Sequence, residues 1–480
     1  MLWGGLTVVA CNVMGPAPGA DNDGDASAGS SGIGGASGVS GTGGSGTGGG
    51  SGDASAGKGG AAGTEGGSTD TSQWWQYTDP ANGCLSEGIP TTADRPPSNL
   101  EGASLPPIYL AQTRIRFGTT NDDKALTANP EAWRAIGFDF DKTCTRSRDC
   151  LLNDNPSTPV DNFICANTRP GDGNNCRDNE IGKLFKIAES STNTGRYFGM
   201  TEPDWNCELH RGGFSVIFKI SNYTGELNDP FVRVDIYNST GTKNTQLWKC
   251  RSSTTGPDIT GILNPDWYNQ SPWPPGQGQF QIPTRNILPG ADVTPGQLPD
   301  AAVNDPLAYV KNGHLVARFP QGSEVALLGV RTPVPGFRLI LDRGVMAVRL
   351  RKLTEDDNTW SMEGTMGGVV NPNIMLNSFE EIGYCRNMCG SFNSVTQYLT
   401  GNRDSFGTEE VAPSVACTHL SYATSIRARE ATVDLVLDDT LPPYGEPLNP
   451  ECPNPRHPGA PRANCYCPTG DDPVCPDGGT

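Results

Sequence analysis

The chain has 480 residues, including 61 glycines, 40 prolines and 15 cysteines, and 53 acidic against 35 basic side chains leave a net charge of −18. That charge repels a phosphate backbone and argues against general nucleic-acid binding. The cysteine count points away from a reducing compartment, and no apolar run is long enough for a membrane-spanning helix.

Residues 1–11 read as a partial lipoprotein signal. The run Val8-Val9-Ala10-Cys11 resembles the lipobox of bacterial lipoproteins, which implies cleavage before Cys11 and acylation of its thiol and new amino group. Several acyl chains would anchor the protein stably to a membrane. The ten preceding residues contain no Lys or Arg, unlike a full signal peptide, so the translation start is expected upstream. Residues 12–73 read as a flexible linker. Between positions 11 and 70 there are 22 glycines, and from Gly15 to Gln73 the large apolar residues are Ile33 and Val39. Such a segment buries too little surface to offset its conformational entropy, and as a random coil it spans roughly 40 Å.

The ectodomain is expected over residues 74–440, with a candidate subdivision near 212. Its first chemical motif is Asp139-Phe-Asp141-Lys-Thr143, which matches the DxDx[TV] motif of haloacid-dehalogenase-type phosphatases. There Asp139 would attack phosphorus and Asp141 would act as acid and base. That chemistry requires a parallel strand before the motif and strand–helix units after it, a context the following sequence lacks. The next loop, Asp172-Gly-Asn-Asn-Cys-Arg-Asp178, gathers oxygen ligands and makes Asp172, Asn174 and Asp178 candidates for calcium. The structural alternative is an Asx-turn loop pinned by Cys165 and Cys176, with Asp178 capping a helix that carries Ile181, Leu184, Phe185 and Ala188 on one face.

Strands are expected at 214–220, 231–237, 246–250, 314–319 and 324–330. Two more, at 337–342 and 345–350, read as a hairpin turning at Arg343-Gly344, followed by 359–363, 420–429 and 432–437. Alternation such as Val232-Arg-Val-Asp-Ile236 suits half-buried antiparallel strands. The mainly β fold expected is an antiparallel sandwich or jelly roll with a few short helices, one of them capped by Ser378. Between 252 and 306 lies a Pro/Gly-rich excursion whose Trp267, Tyr268 and Trp273 could stack on a sugar ring or simply pin the loop.

Setting Cys11 aside leaves Cys84, Cys144, Cys150, Cys165, Cys176, Cys207, Cys250, Cys385, Cys389, Cys417, Cys452, Cys465, Cys467 and Cys475. An even set fits a disulfide framework whose connectivity cannot be read from sequence. The tail, 441–480, holds four of them among many prolines and lacks the paired spacing of a zinc site.

Gly137-Phe-Asp-Phe-Asp141 before Cys144-Thr145, Asp178-Asn179, Arg211-Gly-Gly-Phe-Ser-Val-Ile217, Tyr223-Thr-Gly225, Asn228-Asp229 and Ala308-Tyr-Val310 before Gly313-His-Leu-Val-Ala-Arg318 together resemble large surface lipoproteins of myxobacteria and similar bacteria. The resemblance spans roughly residues 105 to 440. It implies an outer-membrane or cell-surface location and a β-rich fold like concanavalin-type sandwiches, and it lends no catalytic residues. The expected function is a lipid-anchored ectodomain that binds a glycan or another surface partner. The alternatives are a secreted hydrolase, either the Asp139/Asp141 phosphatase or a glycan-degrading enzyme, and a purely structural envelope protein.

Overall fold

In the computed structural model the described residues are 74–78, 83–97, 102–123, 126–145, 171–190, 202–210, 212–242, 279–292, 297–327, 337–352, 359–381, 389–409 and 415–436. In chain order the strands are β1 (Tyr77–Thr78), β2 (Leu85–Ser86), β3 (Ile108–Arg116), β4 (Ser215–Ser221), β5 (Asp229–Ser239), β6 (Gln279–Pro283), β7 (Val303–Lys311), β8 (His314–Arg318), β9 (Ser323–Leu327), β10 (Phe337–Lys352), β11 (Trp360–Val370), β12 (Leu420–Glu430) and β13 (Thr432–Val436). Among the described residues four α-helices accompany them: α1 (Glu180–Ser190), α2 (Glu202–His210), α3 (Pro372–Glu381) and α4 (Cys389–Gly401).

The expected antiparallel, mainly β architecture is present, but as one closed sheet instead of two stacked ones. Strands β3, β4, β5, β7, β8, β10, β11 and β12 each pair with the next, and β12 returns to β3 to complete a barrel. Closure leaves this ring with no free edge, which a sandwich would have to protect. Alternation then sorts the side chains. Leu110, Phe218, Val234, Val310, Leu315, Val348, Met362 and Ile426 share one continuous core, to which α1 to α4 also contribute. The opposite face carries two smaller clusters. Phe138, Phe140 and Trp75 cover Tyr309, Val316, Val345, Ala347 and Val369, while Phe280 and Ile282 of β6 cover Ala111, Ile217 and Tyr237. β3 before residue 212 and β4 after it pair directly within the ring.

The registers give the barrel two unlike rims. At one rim β4 joins β5 through residues 222–228, β7 joins β8 through 312–313, and β10 joins β11 through 353–359. The start of β3 and the end of β12 lie there too, with Leu110 opposite Glu430. At the other rim all four links are long: 117–214, 240–302, the β8–β10 link carrying β9, and 371–419.

Several local expectations are corrected. Residues 337–352 form one strand, because Arg343 adopts φ +54 and bends the chain instead of reversing it. The first half pairs with β9 and the second with β8 and β11 across an irregularity between Asp342 and Val345. Asn179 caps α1, accepting the Gly182 N–H at 3.0 Å. Ser378 lies buried inside α3, which starts at Pro372 with the Asn371 carboxamide accepting the Asn373 N–H at 3.0 Å. Proline at the first helical position needs no acceptor for an N–H, so the helix begins earlier than the serine suggested. The strand expected at 246–250 lies outside the described residues. No helix among those described is long and apolar enough to cross a membrane.

Candidate metal centre

The long link between β3 and β4 folds back on itself through three ties. Gly137 takes φ +145, and Phe138 forms a backbone bridge with Asp178, whose N–H donates to the Phe138 carbonyl at 2.9 Å. A Cβ on Gly137 would sit 2.7 Å from the Asp178 carbonyl oxygen, so the close approach requires glycine. A disulfide joins Cys144 to Cys176. Finally, Thr145 and Asp172 exchange hydrogen bonds, Asp172 N–H to Thr145 O at 2.8 Å and Thr145 N–H to the Asp172 carboxylate at 2.5 Å. The β1–β2 hairpin lies across the outside, with the Asp139 N–H donating to Glu87 O at 2.7 Å.

These ties bring the phosphatase-like motif together with Asp178, and place Asp172 beside them, leaving Asn174 outside. One carboxylate oxygen each from Asp139, Asp141 and Asp178 lie within 4.8 Å of one another. All three are buried, as is Asp172. Backbone amides orient them: Phe140 and Asp141 donate to Asp178 Oδ2 at 2.7 and 3.2 Å, and Thr143 donates to Asp139 Oδ1 at 3.0 Å and Asp141 Oδ1 at 2.8 Å. Tyr77 Oη and Ser86 Oγ donate to Asp139 Oδ2 at 2.9 and 2.5 Å. Arg343 approaches from β10 and donates to the Phe140 carbonyl at 2.5 Å.

Burial pushes the Asp139 carboxyl up. It pushes Asp141, Asp172 and Asp178 well above the ordinary range, and like charges on neighbouring aspartates add to the rise. Crowded carboxylates out of water cannot all ionise unless a cation compensates them. Hard divalent cations suit this donor set, and calcium accepts carboxylate and carbonyl oxygens at about 2.3–2.6 Å in flexible geometry.

The acidic chain continues inward. Asp404 accepts hydrogen bonds from Ser421 N–H at 2.7 Å and from the Ser421 hydroxyl, while Glu180 accepts from Tyr398 Oη at 2.7 Å. Burial, then the charge of Glu180, pushes Asp404 up to about 7.

Not every candidate joins the cluster. Asn174 is exposed on a short 3-10 turn, and its neighbour Cys176 pairs with Cys144 and not with Cys165. Asp178 uses its carboxylate on the Asp139 loop and does not cap the helix. The DxDxT motif sits on a loop outside an antiparallel barrel, and Asp139 Oδ2 is already held by two hydroxyls, so neither the strand context nor the exposure of a nucleophile is present. Cys84 and Cys417 are disulfide-bonded. Cys389 begins α4, and Cys207 lies in α2. Cys11, Cys150, Cys165, Cys250, Cys385, Cys452, Cys465, Cys467 and Cys475 fall outside the described residues, as do Trp267, Tyr268 and Trp273. Tyr77, Ser86 and Arg343 had no signal in the sequence, since each reaches the cluster from a distant segment. No protein-family profile matches the chain, and no curated protein or solved structure is significantly similar to it.

Proposed function

We propose that this chain is a cell-envelope lipoprotein, anchored through acyl chains on Cys11 and a flexible linker, whose barrel ectodomain holds one calcium ion and presents a binding surface for a glycan or another surface partner. The observation that carries the metal half is the convergence of three buried carboxylates within 4.8 Å. The ion would tie residues 137–145 and 172–178 to the β1–β2 hairpin and the barrel wall. Its burial favours a structural role over a catalytic one. For the surface-binding half, the support is the rim that carries all four long links, because recognition residues concentrate on loops held by a rigid scaffold. The resemblance to myxobacterial surface lipoproteins and the envelope location belong to the same proposal.

Calorimetric titration of the chelator-treated full chain with calcium chloride tests the metal half. One site per chain is expected, with affinity at least tenfold lower in Asp141→Asn and Asp178→Asn. Calcium at a hundredfold excess over its Kd would add about 2.7 kcal/mol of stability, read as a rise in Tm. No heat, with a Tm indifferent to calcium and chelator, sinks the reading. Release of the chain from the membrane fraction by Cys11→Ser is the matching test of the anchor.

A further inference from the structure

The chain that leads back to Cys11 joins the barrel at the rim of short links. Trp74 packs edge-on against Trp75 and His314, with ring centroids 4.7 and 5.6 Å apart, and Lys311 Nζ lies 5.0 Å from its ring centre. Lys311 and His314 flank the two-residue link between β7 and β8. The rim of long links therefore lies at the far end of the barrel from the tether. The tethered rim and the wall beside it carry three of the six large apolar side chains exposed among the described residues. Leu227 of the β4–β5 link is 66% exposed, Phe231 near the start of β5 54%, and Leu307 of β7 56%. The Leu227 carbonyl accepts the Gly313 N–H at 2.8 Å, which holds the β4–β5 link beside the β7–β8 link. Arg95 bridges the other two, with its guanidinium 6.0 Å from the Phe231 ring centre and donating to the Leu307 carbonyl.

Elsewhere the outer wall is covered, by Trp75 and Phe138 or by β6, whereas Phe231 and Leu307 stay open to water. Scattered singly such residues need no explanation, but grouped together they mark a contact surface. Three side chains fall well short of the roughly 800 Å2 per partner that a stable protein interface buries. A bilayer asks for no matching shape and takes up apolar side chains one by one. The tether favours the bilayer further. A linker with a mean reach of roughly 40 Å keeps this rim close to the acyl anchor, so an affinity too weak to hold a free chain suffices. The contact is apolar, because the neighbouring cations are already engaged, Lys311 with Asp94 at 3.9 Å and Arg95 with the Leu307 carbonyl. It therefore needs no anionic lipid, which a chain of net charge −18 would repel.

We infer that Leu227, Phe231 and Leu307 form a face that rests on the lipid bilayer and turns the rim of long links away from it. The inference rests on the lipid-anchor part of the proposed function and is independent of the metal centre. Flotation of the full chain carrying Cys11→Ser, so that no acyl chain contributes, with phosphatidylcholine vesicles at millimolar lipid is the test. A measurable fraction is expected to float, to fall at least tenfold in the double variant Phe231→Ser/Leu307→Ser at unchanged Tm, and to persist when salt is added. Leu227→Ser lies in a link and should lower flotation too, so it remains informative if the strand variant fails to fold. No flotation, flotation undiminished in both variants, or flotation abolished by salt would overturn the inference. So would a concentration-dependent dimer in sedimentation that the double variant abolishes, which would assign the face to a second copy of the chain. A null result beside release of Cys11→Ser from the membrane fraction removes this inference and leaves the anchor standing, whereas membrane attachment indifferent to Cys11 removes the anchor itself.

Discussion

Glu202 shows how much one side chain can organise. Fully buried at the start of α2, its Oε2 accepts the N–H groups of Phe117, Gly118 and Thr119 at 3.1, 3.0 and 2.9 Å and the Thr119 hydroxyl at 2.9 Å. Oε1 accepts the Thr120 hydroxyl. The carboxylate thus receives the amides left unpaired where β3 ends, and it sits at the helix end that favours negative charge. Glu202→Ala would strand three buried N–H groups and is expected to cost about 3–5 kcal/mol. Glu202→Gln keeps an acceptor on the amide side, and the Thr120 hydroxyl can rotate to accept from the new amino group. Its cost should be about 1–2 kcal/mol. Urea denaturation of the two variants checks the ordering, and equal losses would show that the charge, not the acceptor geometry, is what matters. Nothing in the sequence announces this contact, because the partners are more than 80 residues apart.

Strand β10 illustrates what could and could not be read in advance. Its two apolar halves were legible as strands, but Arg343-Gly344 looks like a turn, and only pairing with β9, β8 and β11 keeps the chain extended. β4 and β8 were legible as short apolar runs, and β5 and β12 as alternating apolar and polar residues. β3 was not, since Gln112, Arg114 and Arg116 mask its pattern, and both arginines pair with Asp122 at 3.0 and 3.5 Å. β7 was hidden by Pro306, which sits where the pairing with β5 slips register. The acidic site was legible in pieces, as Asp139-Phe-Asp141 and as Asp172 with Asp178. Their convergence depends on the Phe138–Asp178 bridge and the Cys144–Cys176 bond, and spacing carries neither. Two-residue strands such as β1 and β2 have no periodicity, so Tyr77 and Ser86 could not be found.

The bend in β10 also makes a prediction. Arg343 donates to Phe140 O at 2.5 Å and to Ser405 Oγ at 3.3 Å, placing a guanidinium beside the carboxylates. Arg343→Gln removes that positive charge. The expected result is a lower Tm in chelator together with calcium affinity raised about threefold, because the cluster becomes more negative. Calorimetry and thermal unfolding, each with and without calcium, measure both. A lower affinity would mean that Arg343 shapes the site more than it neutralises it.

For the whole molecule, the buried acids set the response to pH. Asp404 titrates near 3.9 in an unfolded chain and at about 7 in the fold. A raised native value means the folded state holds the proton more tightly. Its stabilising contribution is therefore full below about pH 4 and lost as pH rises through about 7. Glu180, raised by burial, acts in the same direction. The unfolding free energy from urea denaturation in chelator should fall between pH 5 and 8, by a few kcal/mol at most, and Asp404→Asn should make that fall shallower, the raised carboxyls of the metal cluster supplying the rest. A free energy that climbs over that range would contradict the assignment.

The pairing of β3 with β12 has a consequence for the order of assembly. Ile115 and Ile426, facing each other across that seam, are separated by nearly all of the barrel's sequence, whereas β7 and β8 meet across a two-residue link. Local hairpins can form early, but ring closure carries a large loop-closure entropy and waits for the last barrel strand. Until Leu420–Glu430 docks, β3 and β11 each present an unpaired row of backbone donors and acceptors, open to a neighbouring molecule. The late strand is what turns a sticky, open sheet into a self-contained particle.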